Sequence, residues 1–154
     1  MAGVGEATAI LEVAELGFGV SSALIDYTNE VKDAPGRIKS IGDEIKTTSK
    51  RLQEIARLVE KNSQTRLFSE EGLQNVLRCS DECYQAIGEV RFVLRKTGYQ
   101  RNPVEFDRSQ LDISYHTKLQ WPLIKTKLEV PRTALQRIKI DLSLLFASVM
   151  AISA

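Results

Sequence analysis

One stretch near the N-terminus constrains this chain more than any other. Residues 7–27 read as a helix that is apolar on nearly every side. On a wheel of about 100° per residue, Thr8, Glu12, Glu15, Gly19, Ser22 and Asp26 share one stripe about 80° wide. Ile10, Leu11, Val13, Leu16, Phe18, Val20, Leu24 and Ile25 cover the rest, and Ser21 is the clear polar exception. Such a helix belongs in the middle of a bundle or in a bilayer. Glu12 and Glu15 argue against a plain transmembrane segment, because each costs about 2.5–3.5 kcal/mol at a bilayer centre. The uncharged run Leu16–Ile25 is too short to span.

The rest of the chain supplies helices that could cover it. No segment reads as strand; Val, Ile and Leu recur at helical spacing almost throughout. The turn Asp33-Ala-Pro-Gly36 puts Pro35 at the start of a second helix running to about Asn62. Its inner face is Ile38, Ile41, Ile45, Thr48, Leu52, Ile55 and Val59. Ser69 followed by Glu70 and Glu71 is a helix start, with a capping hydroxyl and acids in the first turn. That third helix buries Leu73, Val76, Ser80, Cys83, Ile87, Val90 and Leu94, with Leu77 and Phe92 in support. It stops at Lys96 and Gly98. Asn102-Pro103 marks a turn, and residues 108–119 suit a short helical turn lying across the bundle. The last helix follows Trp121-Pro122, with Ile124, Leu128, Leu135, Ile138, Leu142, Leu145, Val149 and Ile152 on one face. Pro131 falls on that face and predicts a kink, or a break near Glu129-Val130. The expected fold is an all-α, antiparallel bundle of four to five helices near 5–31, 35–62, 69–97, 108–119 and 122–152. With 43% apolar residues in 154, one domain with its own core is expected, and the first helix should sit where the other three cover it.

Charge is balanced overall, at +1, but not along the chain. Residues 1–31 hold five acids and no base. Residues 118–140 hold Lys118, Lys125, Lys127, Arg132, Arg137 and Lys139 against Glu129. Either the two ends attract one another in the fold, or both are solvated, or the basic segment meets an anionic lipid surface. The basic stretches lack interleaved aromatics, so nucleic acid is not an expected partner.

Little else in the chain suggests chemistry. Cys79 and Cys83 are four apart on one helix, where a bridge would be strained, so reduced thiols are expected. His116 is the one histidine and has no local catalytic company; with two cysteines it falls short of a zinc set. Gly3 and Gly5 lack the following Lys-Ser/Thr of a phosphate loop. No enzyme activity, metal or cofactor is expected. Gly17 and Gly19, with Ser22, need a reason, since glycine inside a helix costs about 1 kcal/mol relative to alanine. Close approach of a neighbouring helix is one reason, and packing of several copies in lipid is another. A third is a helix easily distorted or released.

Ala9-Ile-Leu-Glu-Val-Ala-Glu-Leu-Gly-Phe-Gly-Val20, then a charged second helix, then Lys118-Leu-Gln-Trp-Pro-Leu-Ile-Lys125 and Leu135-Gln-Arg-Ile-Lys-Ile-Asp-Leu-Ser-Leu-Leu145 form an ordered set. This set resembles the HeLo-like N-terminal domain of fungal STAND (NOD-like receptor) proteins across essentially the whole chain. Trp121 and Pro122 are the most specific part of the likeness. The resemblance implies a bundle similar to the executioner bundle of the mammalian necroptosis pseudokinase, and a role in regulated cell death. It implies that the first helix, about residues 4–25, leaves the bundle on activation and disturbs the plasma membrane. The residues concerned are Ile10, Leu11, Glu12, Glu15, Leu16, Gly17, Phe18, Gly19 and Val20; on the lipid reading of the basic segment, drawn from its charge, Lys118, Lys125, Lys127 and Arg132 would face lipid. Implied partners are further copies of the chain, membrane lipids on activation, and a nucleotide-binding or other domain of a longer parent protein. The uncapped apolar end Leu144–Ile152 is likewise the pattern of a piece of a longer protein. The expected location is the cytoplasm, with recruitment to the plasma membrane. The alternative is an interaction module in which the first helix is permanent core.

Overall fold

A computed structural model of the chain describes residues 4–30, 36–65, 67–96 and 121–153. These form α1 (Val4–Glu30), α2 (Gly36–Thr65), α3 (Glu70–Lys96) and α4 (Trp121–Ser153), with no strand among the described residues. The architecture is an all-α helical bundle. The expected turn over 108–119, Gly98, Asn102-Pro103, His116 and Lys118 lie outside the described residues.

Cross-helix contacts fix the directions. Leu24 and Ile25 of α1 lie against Gly42 of α2, and Gly17 lies against Ser49, so α1 and α2 are antiparallel. Glu129, Gln136 and Phe146 of α4 meet Arg37, Glu44 and Arg51 of α2 in turn, so α4 runs parallel to α2. Arg137 pairs with Glu82, and Asp141 acts on Cys79, so α3 and α4 are antiparallel. Consecutive helices therefore alternate in direction. Around the bundle, however, the order is α1, α2, α4, α3: α2 and α3 scarcely touch, and α1 and α4 make only a glancing contact across the diagonal. α1 is thus a corner helix covered by α2 and α3, where the sequence suggested that all three others would cover it. The same geometry sets α1 and α4 on a diagonal, so the acidic helix and the basic one are not packed side by side. Two bases of α4 have acids nearby, Arg137 with Glu82 of α3 and Arg132 with Glu129 of α4 itself, and Glu129 also pairs with Arg37 of α2.

The core follows the helical spacing closely. All seven positions expected on the inner face of α2 are buried. On α3, Val76, Ser80, Cys83, Ile87 and Val90 are buried, joined by Cys79 and Ala86. Leu73 and Leu77 pack partly against them. Phe92 is a correction: it is 58% exposed, because it sits 200° around the helix from buried Val90. On α4, Leu128, Leu135, Ile138, Leu142 and Val149 are buried, and Leu145 packs against them in part. The helix runs through Pro131 without breaking into two. Pro131 is itself buried between the turns of Leu128 and Leu135, whose packing holds the backbone helical despite the missing N–H.

The α2–α3 connection is tighter than its polar sequence suggests. α2 continues to Thr65, three residues past the expected end. The Phe68 N–H donates to Asn62 Oδ1 at 2.8 Å, and the Phe68 ring is buried. Ser69 caps α3 as expected: the Gly72 N–H donates to its Oγ at 3.0 Å. Phe68 before the cap and Leu73 four residues after it occupy the two positions of a hydrophobic staple, and both join the core.

Candidate functional site at the first helix

The inner face of α1 is built largely from small side chains. Ala7, Ala14 and Ser21 recur at intervals of seven residues, as do Ile10, Gly17 and Leu24, and all six are buried. α2 answers with Gly42, Ser49 and Ala56, again seven apart and buried. Seven residues are two helical turns, so each series forms a straight seam along its helix. Small residues along both seams bring the two backbones close. A Cβ added at Gly42 would stand 3.1 Å from Ile25 Cγ1 and 3.3 Å from Leu24 Cβ. A Cβ at Gly17 would collide with Ser49 Oγ and stand 3.3 Å from Ile87 Cδ1 of α3. Gly17 therefore marks the point where α1, α2 and α3 converge, which is the close-approach reason for a mid-helix glycine. The seven-residue repeat of small residues on α2 was visible in the sequence, and it is the signal that would have located this seam.

Polar groups on the inner side are mostly satisfied locally. Ser21 Oγ donates to the Phe18 carbonyl at 3.1 Å, and Thr48 Oγ1 to that of Glu44 at 2.8 Å. Such bonds to the preceding turn let a hydroxyl face the core at little cost. Ser49 Oγ is buried with no hydrogen-bond partner among the described residues.

The remaining surface of α1 is sheltered to different degrees. Ile10 and Val20 are fully buried; Leu11, Leu16, Phe18 and Gly19 are half-buried; Glu12 and Glu15 are exposed. Among the described side chains, the large apolar ones that are exposed belong to α3 and α4 and none to α1. The stretch Gly5–Asp26, 22 residues, is long and apolar enough by length and composition to cross a membrane. At 1.5 Å per residue it measures about 33 Å, against a hydrocarbon core of about 30 Å.

The expected lipid-facing bases do not form one patch in the described residues. Lys127 is exposed. Arg132 is turned toward α4's own Glu129, 3.9 Å away, and its Nε is buried; Glu129 in turn lies 3.3 Å from Arg37 of α2. Trp121, Pro122 and Lys125 fall in the first turns of α4, and their side chains lie outside the described residues, as does all of Lys118. Cys79 and Cys83 are free and buried. Burial, and then the neighbouring Cys79, push the Cys83 thiol up to about 12, so it is protonated and unreactive at neutral pH. Among the described residues, no three His, Cys, Asp or Glu side chains come together to hold a metal ion.

Comparison with family models, curated proteins and solved structures gives no match for this chain.

Proposed function

We propose that this chain is a regulated cell-death effector domain of the HeLo-like kind. It waits in the cytoplasm as a closed bundle, assembles with further copies when triggered through its parent protein, and turns α1 toward the plasma membrane. One observation carries the reading: α1 is long and apolar enough to span a bilayer, yet every large apolar side chain described on it is at least half covered. Release would have to break the packing of α1 on α2, the most extensive in the bundle, and its lesser contact with α3. Small residues on its inner face bury less apolar area than Leu or Ile would, at about 25 cal/mol per Å², and they equally suit helix packing in lipid. The exposed Glu12 and Glu15 would then face a wet lumen between assembled copies.

A second reading has its own observation. The interlock of Gly17, Gly42 and Ser49 fits α1 to α2 closely enough for α1 to be permanent core in an interaction module. A disulfide lock separates the two. The Cβ spacing of 3.3 Å between position 42 and Leu24 is near the range of about 3.5–4.5 Å found in bridged cysteines. The Leu24→Cys/Gly42→Cys chain, clustered through a fused dimerising tag, is added to dye-loaded vesicles containing phosphatidylserine. Under the release reading the oxidised protein is silent and the reduced protein leaks dye. Equal leakage from the locked and reduced forms removes α1 from the mechanism. Silence of clustered wild type, with amide exchange in α1 as slow as in α2 and α3, establishes the permanent-core reading.

A further inference from the structure

Charge is divided among the helices by corner. α1 carries five acids and no base, whereas α2 carries seven bases against four acids and α4 five against two. The exposed edge of α1 and the α2–α4 side point away from one another, because α1 and α4 stand on a diagonal. On the α2–α4 side, the two parallel helices leave a groove. Its main part, about 560 Å³, lies between Lys50, Arg51 and Glu54 of α2 and Lys139, Ile140 and Leu144 of α4. A more polar continuation of about 390 Å³ shares Thr47 and Lys139 and runs back to Gly36. Together they follow α2 for about 27 Å at 1.5 Å per residue, the length of five helical turns.

The features of the groove suit a helix that carries spaced acids. Ile140 and Leu144 are 58% and 64% exposed at its rim, an apolar surface that a second helix would cover. Arg51 is already held, 2.7 Å from Glu54 and 4.4 Å over the Phe146 ring. Lys50 and Lys139 have no ion-pair partner among the described residues. The groove is concave and has acids of its own, Asp43, Glu44 and Glu54, so a uniformly anionic lipid face fits it poorly. The outer edge of α1 is the complement: Glu12 and Glu15 are exposed, and Thr8, Gly19 and Ser22 on the same stripe are small enough for close approach.

We propose that the acidic edge of α1 in one copy docks into the α2–α4 groove of a second copy, Glu12 and Glu15 meeting Lys50 and Lys139. The contact joins two different surfaces, so it is head-to-tail and adds copies in a row instead of closing a pair. It uses α1 as packed in its own bundle, so it does not rest on the membrane reading, and its failure leaves that reading standing. One helix edge covers less than the roughly 800 Å² per partner of a standard interface, so the contact is weak and sensitive to salt.

Sedimentation of the chain at rising concentration tests this at low and at physiological salt. Wild type self-associates, more strongly at low salt. Glu12→Lys/Glu15→Lys and Lys50→Glu/Lys139→Glu each weaken association about tenfold or more. Mixed together the two variants recover it as rows in which they alternate at 1:1 stoichiometry, because the reversed edge of one meets the reversed groove of the other and the two unaltered surfaces meet as in wild type. Circular dichroism confirms that both remain helical, and Glu12→Gln with Lys50→Gln offers a gentler pair if either does not. Three results overturn the proposal: wild type monomeric up to about 1 mM, a charge-reversed variant that associates like the parent, or mixing that restores nothing. Capture of phosphatidylserine vesicles that depends on Lys50 and Lys139, without self-association, overturns it as well.

Discussion

Gly17→Ala tests the close approach of α1 and α2 most directly. In a helix with free space, this change stabilises by about 1 kcal/mol, because alanine loses less backbone entropy than glycine on folding. Here the new methyl meets Ser49 Oγ in collision, with Ser49 Cβ at 3.0 Å and Ile87 Cδ1 at 3.3 Å. Ser49 is fully buried and no hydrogen bond fixes its hydroxyl, so the hydroxyl can turn away, but its Cβ and the backbone of α2 must still give. Overpacking of this kind costs about 1–3 kcal/mol, which outweighs the propensity gain and leaves a net loss of about 1 kcal/mol. Ser49→Ala alone should stabilise by about 1 kcal/mol, since it removes a buried, unpartnered hydroxyl and improves helix propensity. In that background Gly17→Ala should cost about 1 kcal/mol less, a coupling that a double-mutant cycle reads directly. Urea unfolding measures it as shifts in midpoint at constant slope. A Gly17→Ala chain about 1 kcal/mol more stable than wild type, or a coupling within about 0.3 kcal/mol of zero, would refute the seam.

Other consequences are as readily measured. Ser69→Ala removes the acceptor of the Gly72 N–H and should cost about 1 kcal/mol in urea unfolding, whereas Ser69→Asp should cost far less. Asn62→Ala leaves the Phe68 N–H without its acceptor and should destabilise by about 1 kcal/mol or more, with faster amide exchange at Phe68. Cys83 makes stability fall in alkali. Its folded pKa of about 12 lies above the unfolded 9.0, so the unfolded chain loses its proton first. The contribution is intact below pH 9 and is lost as pH rises toward 12, at up to about 1.4 kcal/mol per pH unit. Cys83→Ala should therefore show a shallower decline over that window, and parallel curves for the two proteins would count against the buried-thiol account.

The sequence alone determined the elements and most of what they bury. In α2 the apolar positions fall every three or four residues without interruption, and each such side chain can reach one face only, so all seven are buried. The Ser69 cap is equally local, because one hydroxyl serves an N–H three residues away. Phe92 obeys the same periodicity: at 200° from buried Val90 it stands outside, and its size alone does not draw it in. In the candidate site, Glu12 and Glu15 stand on the exposed stripe that the wheel assigned them.

Only the tertiary structure decided which helices are neighbours. Helical periodicity specifies that a face is buried but not against what, and a bundle of four amphipathic helices can be wound in more than one order. Backbone proximity settled it here. The small residues Gly42, Ser49 and Ala56 let α1 settle closely on α2, which leaves α4 to pair with α2 on its other side and sends α1 to a corner. The diagonal placement of α1 and α4 in turn separates the acidic edge from the basic groove. No reading along one chain could show that separation, because it depends on contacts between residues up to 95 positions apart, such as Arg51 with Phe146.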